Sequence, residues 1–390
     1  MKKRNVLVVV AGVLAAYTGM SAQATSVTMF GSAQVEYTTV DIEGITSQAN
    51  VSDDAGRSKW GVQVVENLAN GLSAKAHLEF GFSPGTGGIG IARERWVALA
   101  GNQWGELKFG RVQSPFKDFA GGLTIDPFAY TTLQAGGSGG TMVASANGLG
   151  AASNGFVNSA IRYDSPTVEG FTFSALLMPG DSNRLDPLFG GGNNTNSGGE
   201  DGEWDFQIAG KYDTQIAEHD IGVFGGYSRD NVSSVQRSVL PGVVDDEEVW
   251  RGGASWRYQN FRLSGQYENV NNAVGAATCT NSAMLGAPGD SRAQCNSAMN
   301  VNGDGDLWFV GGEYTFGNTR LIAQGGMAHA KATAFAAKRD VSSFTVGAIH
   351  HLSKRSSLFG GYQRVMVDDR QVGTADSDSN KYTVGMRHDF

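Results

Sequence analysis

The chain has two cysteines, eight prolines in 390 residues and, beyond its first sixteen residues, no long apolar run. Cys279 and Cys295 can close one local disulfide, which in the loop-entropy account contributes roughly 3 kcal/mol. Two thiols without a nearby His pair do not complete a zinc site, and so few cysteines exclude a disulfide scaffold. The shortage of proline excludes a proline-rich linker protein. No later stretch approaches the ~18 consecutive apolar residues of a membrane helix, so any membrane span downstream must be made of strands. Basic surplus is missing too. The formal charge is −8, and it becomes three units more negative without Lys2, Lys3 and Arg4. That balance excludes nucleic acid as a partner.

What is present begins with a leader. MKKRNVLVVVAGVLAAYTGMSAQA has a basic start, a short apolar run and an Ala22-Gln23-Ala24 cleavage site. Residues 1–24 are therefore expected to be a signal peptide and 25–390 the mature domain. Glycine is abundant at 55 residues, about twice the usual share of ~7%. With so little proline beside it, this glycine must serve strands and loops.

In an extended strand successive side chains face opposite ways. The first segment, SVTMFGSAQVEYTTV, sets Val27, Met29, Ala33, Val35 and Tyr37 against Thr28, Ser32, Gln34, Glu36 and Thr38. The last, KYTVGMRHDF, sets Tyr382, Val384, Met386, His388 and Phe390 against Lys381, Thr383, Gly385, Arg387 and Asp389. Between them the same period-two pattern recurs, giving about sixteen segments in all. Short turns alternate with long excursions near 41–56, 112–157, 180–202, 230–246, 271–305, 331–340 and 367–380. A soluble sandwich has no reason to lengthen every second connection, whereas a transmembrane barrel does.

The expected fold is all-β, a 16-stranded antiparallel transmembrane β-barrel. A barrel that wide cannot be filled by side chains, so its apolar face looks out and its interior holds water. Trp60, Trp96, Trp204, Trp250, Trp256, Tyr212, Tyr258, Tyr267 and Tyr314 fall on the apolar phase near strand ends, as an interfacial girdle requires. A strand at each chain end would fray, so the last is expected to pair with the first and leave no open edge.

Four patterns suggest other chemistry. GTGGIG (85–90) fits a dinucleotide fingerprint, but no helix follows it. GGSGG around Ser138 fits a hydrolase elbow, but its flanks are glycine-rich loop. NVNGDGD (300–306) opens like a calcium loop, yet the twelfth position is Gly311 rather than Glu. The six histidines form no ligand-spaced cluster, and His350 and His351 face opposite ways. No catalytic constellation, metal or cofactor is expected.

RERWVALAGNQWGELKFGRVQSPF (93–116), IDPF (125–128), NSAIRYDSP (158–166), HLSKRSSLFGGYQ (351–363) and the terminal GMRHDF resemble the trimeric general-diffusion porins of Gram-negative outer membranes. The resemblance spans the mature chain in order. It implies an outer-membrane homotrimer and a third loop folded into each lumen. Its implied function is a water-filled channel passing ions and small hydrophilic solutes. It also implies contact with outer-membrane lipid and lipopolysaccharide, and a C-terminal aromatic, here Phe390, read by the assembly machinery. Such pores narrow between a basic wall and an acidic third loop. Motif position carries the wall to Lys59 and Arg93, and shared inward phase adds Arg95 and Arg162. Asp118 and Asp126 are the loop acids. Lys117 beside Asp118 and the glycine-rich stretch 135–155 depart from the pattern.

Surplus acid in the long connections (for example Asp41, Glu43, Asp245, Glu248, Asp368) has solubility as its plain explanation. Drawing cations to the mouth, or joining lipopolysaccharide through divalent ions, is the alternative. Two rivals to a general pore remain. A solute-specific channel needs aromatics along the lumen, and only Phe224, Phe309 and Phe359 phase inward. An outer-membrane hydrolase needs Ser, His and an acid meeting on the outer wall or rim.

Overall fold

The computed structural model describes residues 25–42, 47–53, 57–135, 155–179, 204–231, 246–272, 304–331, 339–369 and 378–390. The leader, Cys279, Cys295, Ser138 and residues 300–303 lie outside the described residues, as do several loop acids, among them Glu43 and Asp245.

The strands are β1 (Thr25–Ile42), β2 (Gln48–Ser52), β3 (Lys59–Asn67), β4 (Leu72–Phe82), β5 (Ile89–Gly101), β6 (Gly105–Gln113), β7 (Phe156–Asp164), β8 (Phe171–Pro179) and β9 (Trp204–Ile216). There follow β10 (His219–Asp230), β11 (Glu247–Tyr258), β12 (Phe261–Asn271), β13 (Gly305–Phe316), β14 (Thr319–Ala330), β15 (Arg339–His351), β16 (Ser356–Asp369) and β17 (Ser379–Asp389). Each pairs antiparallel with its chain neighbour, and β17 pairs with β1 to close the sheet. The tight turns take left-handed backbone at Asn70, Glu169, Ala217 and Gln259 as well as at glycine, which reverses the chain within a few residues.

Seventeen segments occupy sixteen positions, because β2 and β3 share one edge of β1. β2 falls within the stretch 41–56 expected to be loop. The 18-residue β1 runs past β3, and the returning chain pairs with that overhang at Glu36–Val40. Asp53 fills the break, accepting from the N–H groups of Arg57 at 3.0 Å and of Ser58, while Gln34 N–H donates to Ser58 Oγ at 2.9 Å.

Closure explains the aromatic end of the chain. Val35 lies opposite Met386 and Tyr37 opposite Val384, so the outward rows of first and last strands meet in register. Phe390 and Gly31 exchange two backbone hydrogen bonds of 3.0 Å, and the Phe390 ring covers the space over Gly31 that a side chain would fill.

The outer face is apolar and exposed: Val27, Met29, Ile208, Trp250, Tyr267 and Val384 all point outward. The inner face carries Gln34, Glu36, Thr38, Gln207, Gln266, Gln324 and Gln363, all nearly inaccessible. Eight of the nine girdle aromatics stand outward; Trp96 does not. Leu78 pairs with Arg95 but Phe80 pairs with Ala92, so Arg93 and Glu94 together oppose the single residue Glu79. This bulge shifts the alternation by one. Trp96 turns inward, 8% exposed and stacked on His77 at 4.9 Å. Arg95 turns outward, over the Phe80 ring at 4.8 Å.

Candidate functional site

After β6 the chain enters the lumen. Ser114 to Ala135 form a helical turn at Pro115–Asp118, a 3-10 turn at Gly122–Thr124 and a set of bends. This third loop crosses the inner side of β9 to β17. Gln207 accepts from Phe116 N–H at 2.8 Å, Gln266 from Gly122 N–H at 2.7 Å, and Glu36 from Thr132 N–H at 2.9 Å. Ser264 donates to Ile125 O at 2.9 Å, Gln363 to Leu133 O at 3.2 Å and Lys381 to Thr132 O at 3.1 Å. Loop backbone polar groups buried without partners would each cost on the order of 1–3 kcal/mol. The inward glutamines are those partners.

Apolar seats complement the polar staples. Phe116 rests on Gly226, Pro127 on Gly311, Phe128 on Gly347 and Leu133 on Gly361. A Cβ at Gly311 would stand 3.1 Å from Pro127, and one at Gly347 2.9 Å from Phe128. Glycine on these inward faces therefore makes room for the loop.

The strongest anchor is ionic. Arg251 and Glu268 meet at 2.7 Å with both side chains wholly buried. The same guanidinium donates to Phe116 O at 2.5 Å and Ala120 O at 2.8 Å, and lies 4.1 Å over the Phe116 ring.

Across the lumen the wall of β3 to β7 is charged. Glu79 takes Lys59 at 2.6 Å and Arg93 at 2.5 Å, one on each oxygen. Arg162 bridges Asp118 of the loop, at 2.7 Å, to Asp164 on its own strand, at 2.9 Å. Lys108 binds Asp164 at 2.9 Å and Lys75 binds Glu106 at 2.7 Å. From the loop, Lys117 sits 4% exposed with its Nζ 3.7 Å from the Phe156 ring centre. Burial, reinforced by Arg93, pulls its ammonium down to about 7.

Of the expected wall residues, Lys59, Arg93 and Arg162 line the interior and Asp118 faces them. Arg95 is corrected to the outer face by the bulge. Asp126 is corrected as well: it is 5% exposed, and its oxygens accept from the N–H groups of Phe128 at 2.9 Å and Ala135 at 2.6 Å. It holds the loop's own bend rather than facing the passage. Glu79 and the Arg251–Glu268 pair were not singled out by sequence, and Lys117 stood out there only as a departure from the family pattern. Glu79 shares the inward phase of Lys75 and His77, which is the signal that would have found it.

His77, Glu79 and Glu94 bring ligand atoms within 4.8 Å of one another. Both Glu79 oxygens already serve cations, and a divalent ion there would face Lys59 and Arg93 directly. Ser356 meets His388 at 2.9 Å on the short-turn rim of the barrel, as a hydrolase would need. The adjacent acid, Asp389, turns away to Arg57 at 3.2 Å.

A closed strand wall, apolar outside and charged inside, with an ordered loop across its interior, defines a transmembrane pore of the outer-membrane type. The chain matches the Gram-negative porin family over residues 6–371 and belongs to it. It is 26% identical to outer membrane porin protein 32 of Delftia acidovorans over 367 residues, 89% of this chain and 86% of that protein. It is 28% identical to an outer membrane porin protein of Bordetella pertussis over 183 residues, 42% of this chain and 45% of that one. An anion-selective porin from Comamonas acidovorans superposes with a TM-score of 0.64 at 20% identity, covering 94% of this chain and all of the other. OmpF of Salmonella typhi does so at 0.60 and 12% identity, over 93% and 97%. The protein is thus an outer-membrane porin, a water-filled channel for passive diffusion of ions and small hydrophilic solutes.

Proposed function

We propose that the passage is narrowest between the third loop and the wall of β3 to β7, where Lys59 and Arg93 set the field and Asp118, held by Arg162, marks the loop side. The carrying observation is that one acid, Glu79, serves both wall cations. Lys117 adds a further positive group from the loop. Charge confined in such a space orients polar solutes and sorts ions by sign. This arrangement favours anions, the preference named for the Comamonas porin that shares the fold.

Reversal potentials in a salt gradient test the reading. Arg93→Gln and Lys59→Gln are each expected to shift the potential toward cation selectivity; unchanged values would overturn it. Lys117 adds a pH signature. Its ammonium is charged below about 7 and neutral above, so anion preference is expected to fall as pH rises through that value. Lys117→Met should remove this part of the pH dependence.

The channel is proposed to work as a homotrimer. Arg95 stands outward midway along β5, where lipid exposure of an Arg costs roughly 2–4 kcal/mol. A subunit seam over the first strands removes that cost, and planar-bilayer traces should then step in threes. Phe390 is proposed to serve as the assembly signal, so its deletion should reduce the yield of heat-modifiable barrel in outer membranes.

A further inference from the structure

Tyr130 of the third loop has left-handed backbone, φ 62°, which a bulky residue adopts only where its surroundings impose it. Three side chains impose it here. Gln134 accepts from the Tyr130 N–H at 2.7 Å, and the Tyr130 carbonyl accepts from Gln34 at 2.6 Å and from Arg387 at 3.0 Å. The ring is thereby set beneath the Arg57 guanidinium, 5.0 Å from its centre. No other ring or cation lies over it among the described residues, and the residue is half-buried. The charges that bear on its phenol are Arg57, Arg93, Asp118 and Glu79, the groups of the narrow passage. Burial pushes the phenol up, so its hydroxyl keeps the proton and can donate.

Arg57 joins this ring to the wall. It donates to Ser32 Oγ at 3.2 Å and meets Asp389 at 3.2 Å. One inward position along β1 from Ser32 stands Phe30, with the Lys59 ammonium 5.9 Å from its ring centre. Phe30, His77 and Trp96 continue as a row of stacked rings, spaced 5.0 and 4.9 Å. Rings and cations thus share one side of the passage, and Arg57, Lys59 and Arg93 outnumber the acids that pair with them, Glu79 and Asp389.

We infer that Tyr130, Arg57 and Lys59 form a binding site for small aromatic carboxylates in transit, an inference that rests on the narrow passage proposed above. A carboxylate meets the guanidinium, the ammonium and the phenolic donor together. Its arene gains an offset or edge contact with the Tyr130 ring, beyond what burial alone gives. An aliphatic acid of equal size keeps the charge contacts and loses the ring contact. A cationic arene meets the surplus of positive charge. A filter that sorted by charge alone would need no aromatic side chain clamped in a left-handed backbone, and a few placed polar groups beside rings are the usual lining of a small-molecule site.

Blockade of chloride current in planar bilayers tests the site. Benzoate should block wild type saturably, at a half-blocking concentration severalfold below that of cyclohexanecarboxylate, while benzylammonium should not block. Tyr130→Leu should bring the ratio of the two acids to about one. Tyr130→Phe, which keeps the ring, should keep the ratio and raise both half-blocking concentrations through loss of the donor. Arg57→Gln should weaken both acids by the same factor. Equal blockade of wild type by the two acids, blockade by benzylammonium, or an unchanged ratio in Tyr130→Leu would overturn the proposal. Were Tyr130→Leu to fail to fold, the wild-type ratio and the responses of Tyr130→Phe and Arg57→Gln would still decide. Arg93→Gln and Lys59→Gln in a simple salt gradient separate the two readings: shifted potentials without preference for benzoate sink this site alone, whereas unshifted potentials sink the passage on which it rests.

Discussion

Gly311→Leu is expected to lower single-channel conductance severalfold. The new side chain enters the space now occupied by the Pro127 ring, and the nearest atoms to its Cβ belong to Phe309 and Pro127 side chains rather than to backbone. The barrel wall can accept it only if loop residues 125–128 lift away, because a well-packed contact does not absorb four extra carbons without displacement. Lifting that segment moves it toward the wall of β3 to β7 and narrows the passage. The neighbouring Gly312→Leu is the control: its Cβ meets nothing closer than Ala323 O at 3.8 Å, on the outer face, so conductance should stay at the wild-type value. Equal conductance in both variants would mean that the loop does not limit flow.

The second large effect is expected from Arg251→Met. Removing the guanidinium leaves Glu268 wholly buried without its ion pair and frees the carbonyls of Phe116 and Ala120. Breaking a buried pair from one side costs about 3–5 kcal/mol, because the remaining charge has lost its compensation. The midpoint of urea unfolding in detergent should fall accordingly, and open-channel current should become noisier as the loop loosens. Arg251→Met/Glu268→Leu should recover most of the midpoint, since no charge is then stranded. It should not restore quiet current, because the two carbonyls remain without their donor. A single variant as stable as wild type would show that water reaches Glu268.

Most of the wall was legible from alternation, since a strand with lipid on one side and water on the other writes its environment into every second residue. Val35 opposite Met386 is such a case: both could be assigned outward before any pairing was known. The bulge at Arg93 and Glu94 was not legible. One inserted residue leaves no mark in composition, yet it reverses the facing of everything after it, which is why Arg95 and Trp96 exchanged sides. The same limit hid β2, whose pairing depends on how far β1 overhangs its neighbour.

The loop was legible as a loop but not as a seated element. Its partners lie far along the chain: Glu36 binds Thr132 across 96 positions, and Lys381 binds the same residue across 249. No local pattern announces such bonds. Asp126 illustrates the consequence, since an acid in a conspicuous motif looked like part of the passage while its oxygens were committed to two nearby N–H groups. The glycines were counted correctly as an excess, but only their facing shows that four of them are seats.

The meeting of Gly31 with Phe390 bears on how the molecule can be made. The closing seam joins the two staves most distant in sequence, so nothing shields either margin until the final residue has arrived. Such non-local pairing is intrinsically slow. The same adjacency means that a short tether could fuse the termini and a cut at any outer connection could supply new ones, giving a permuted chain with an unaltered cylinder.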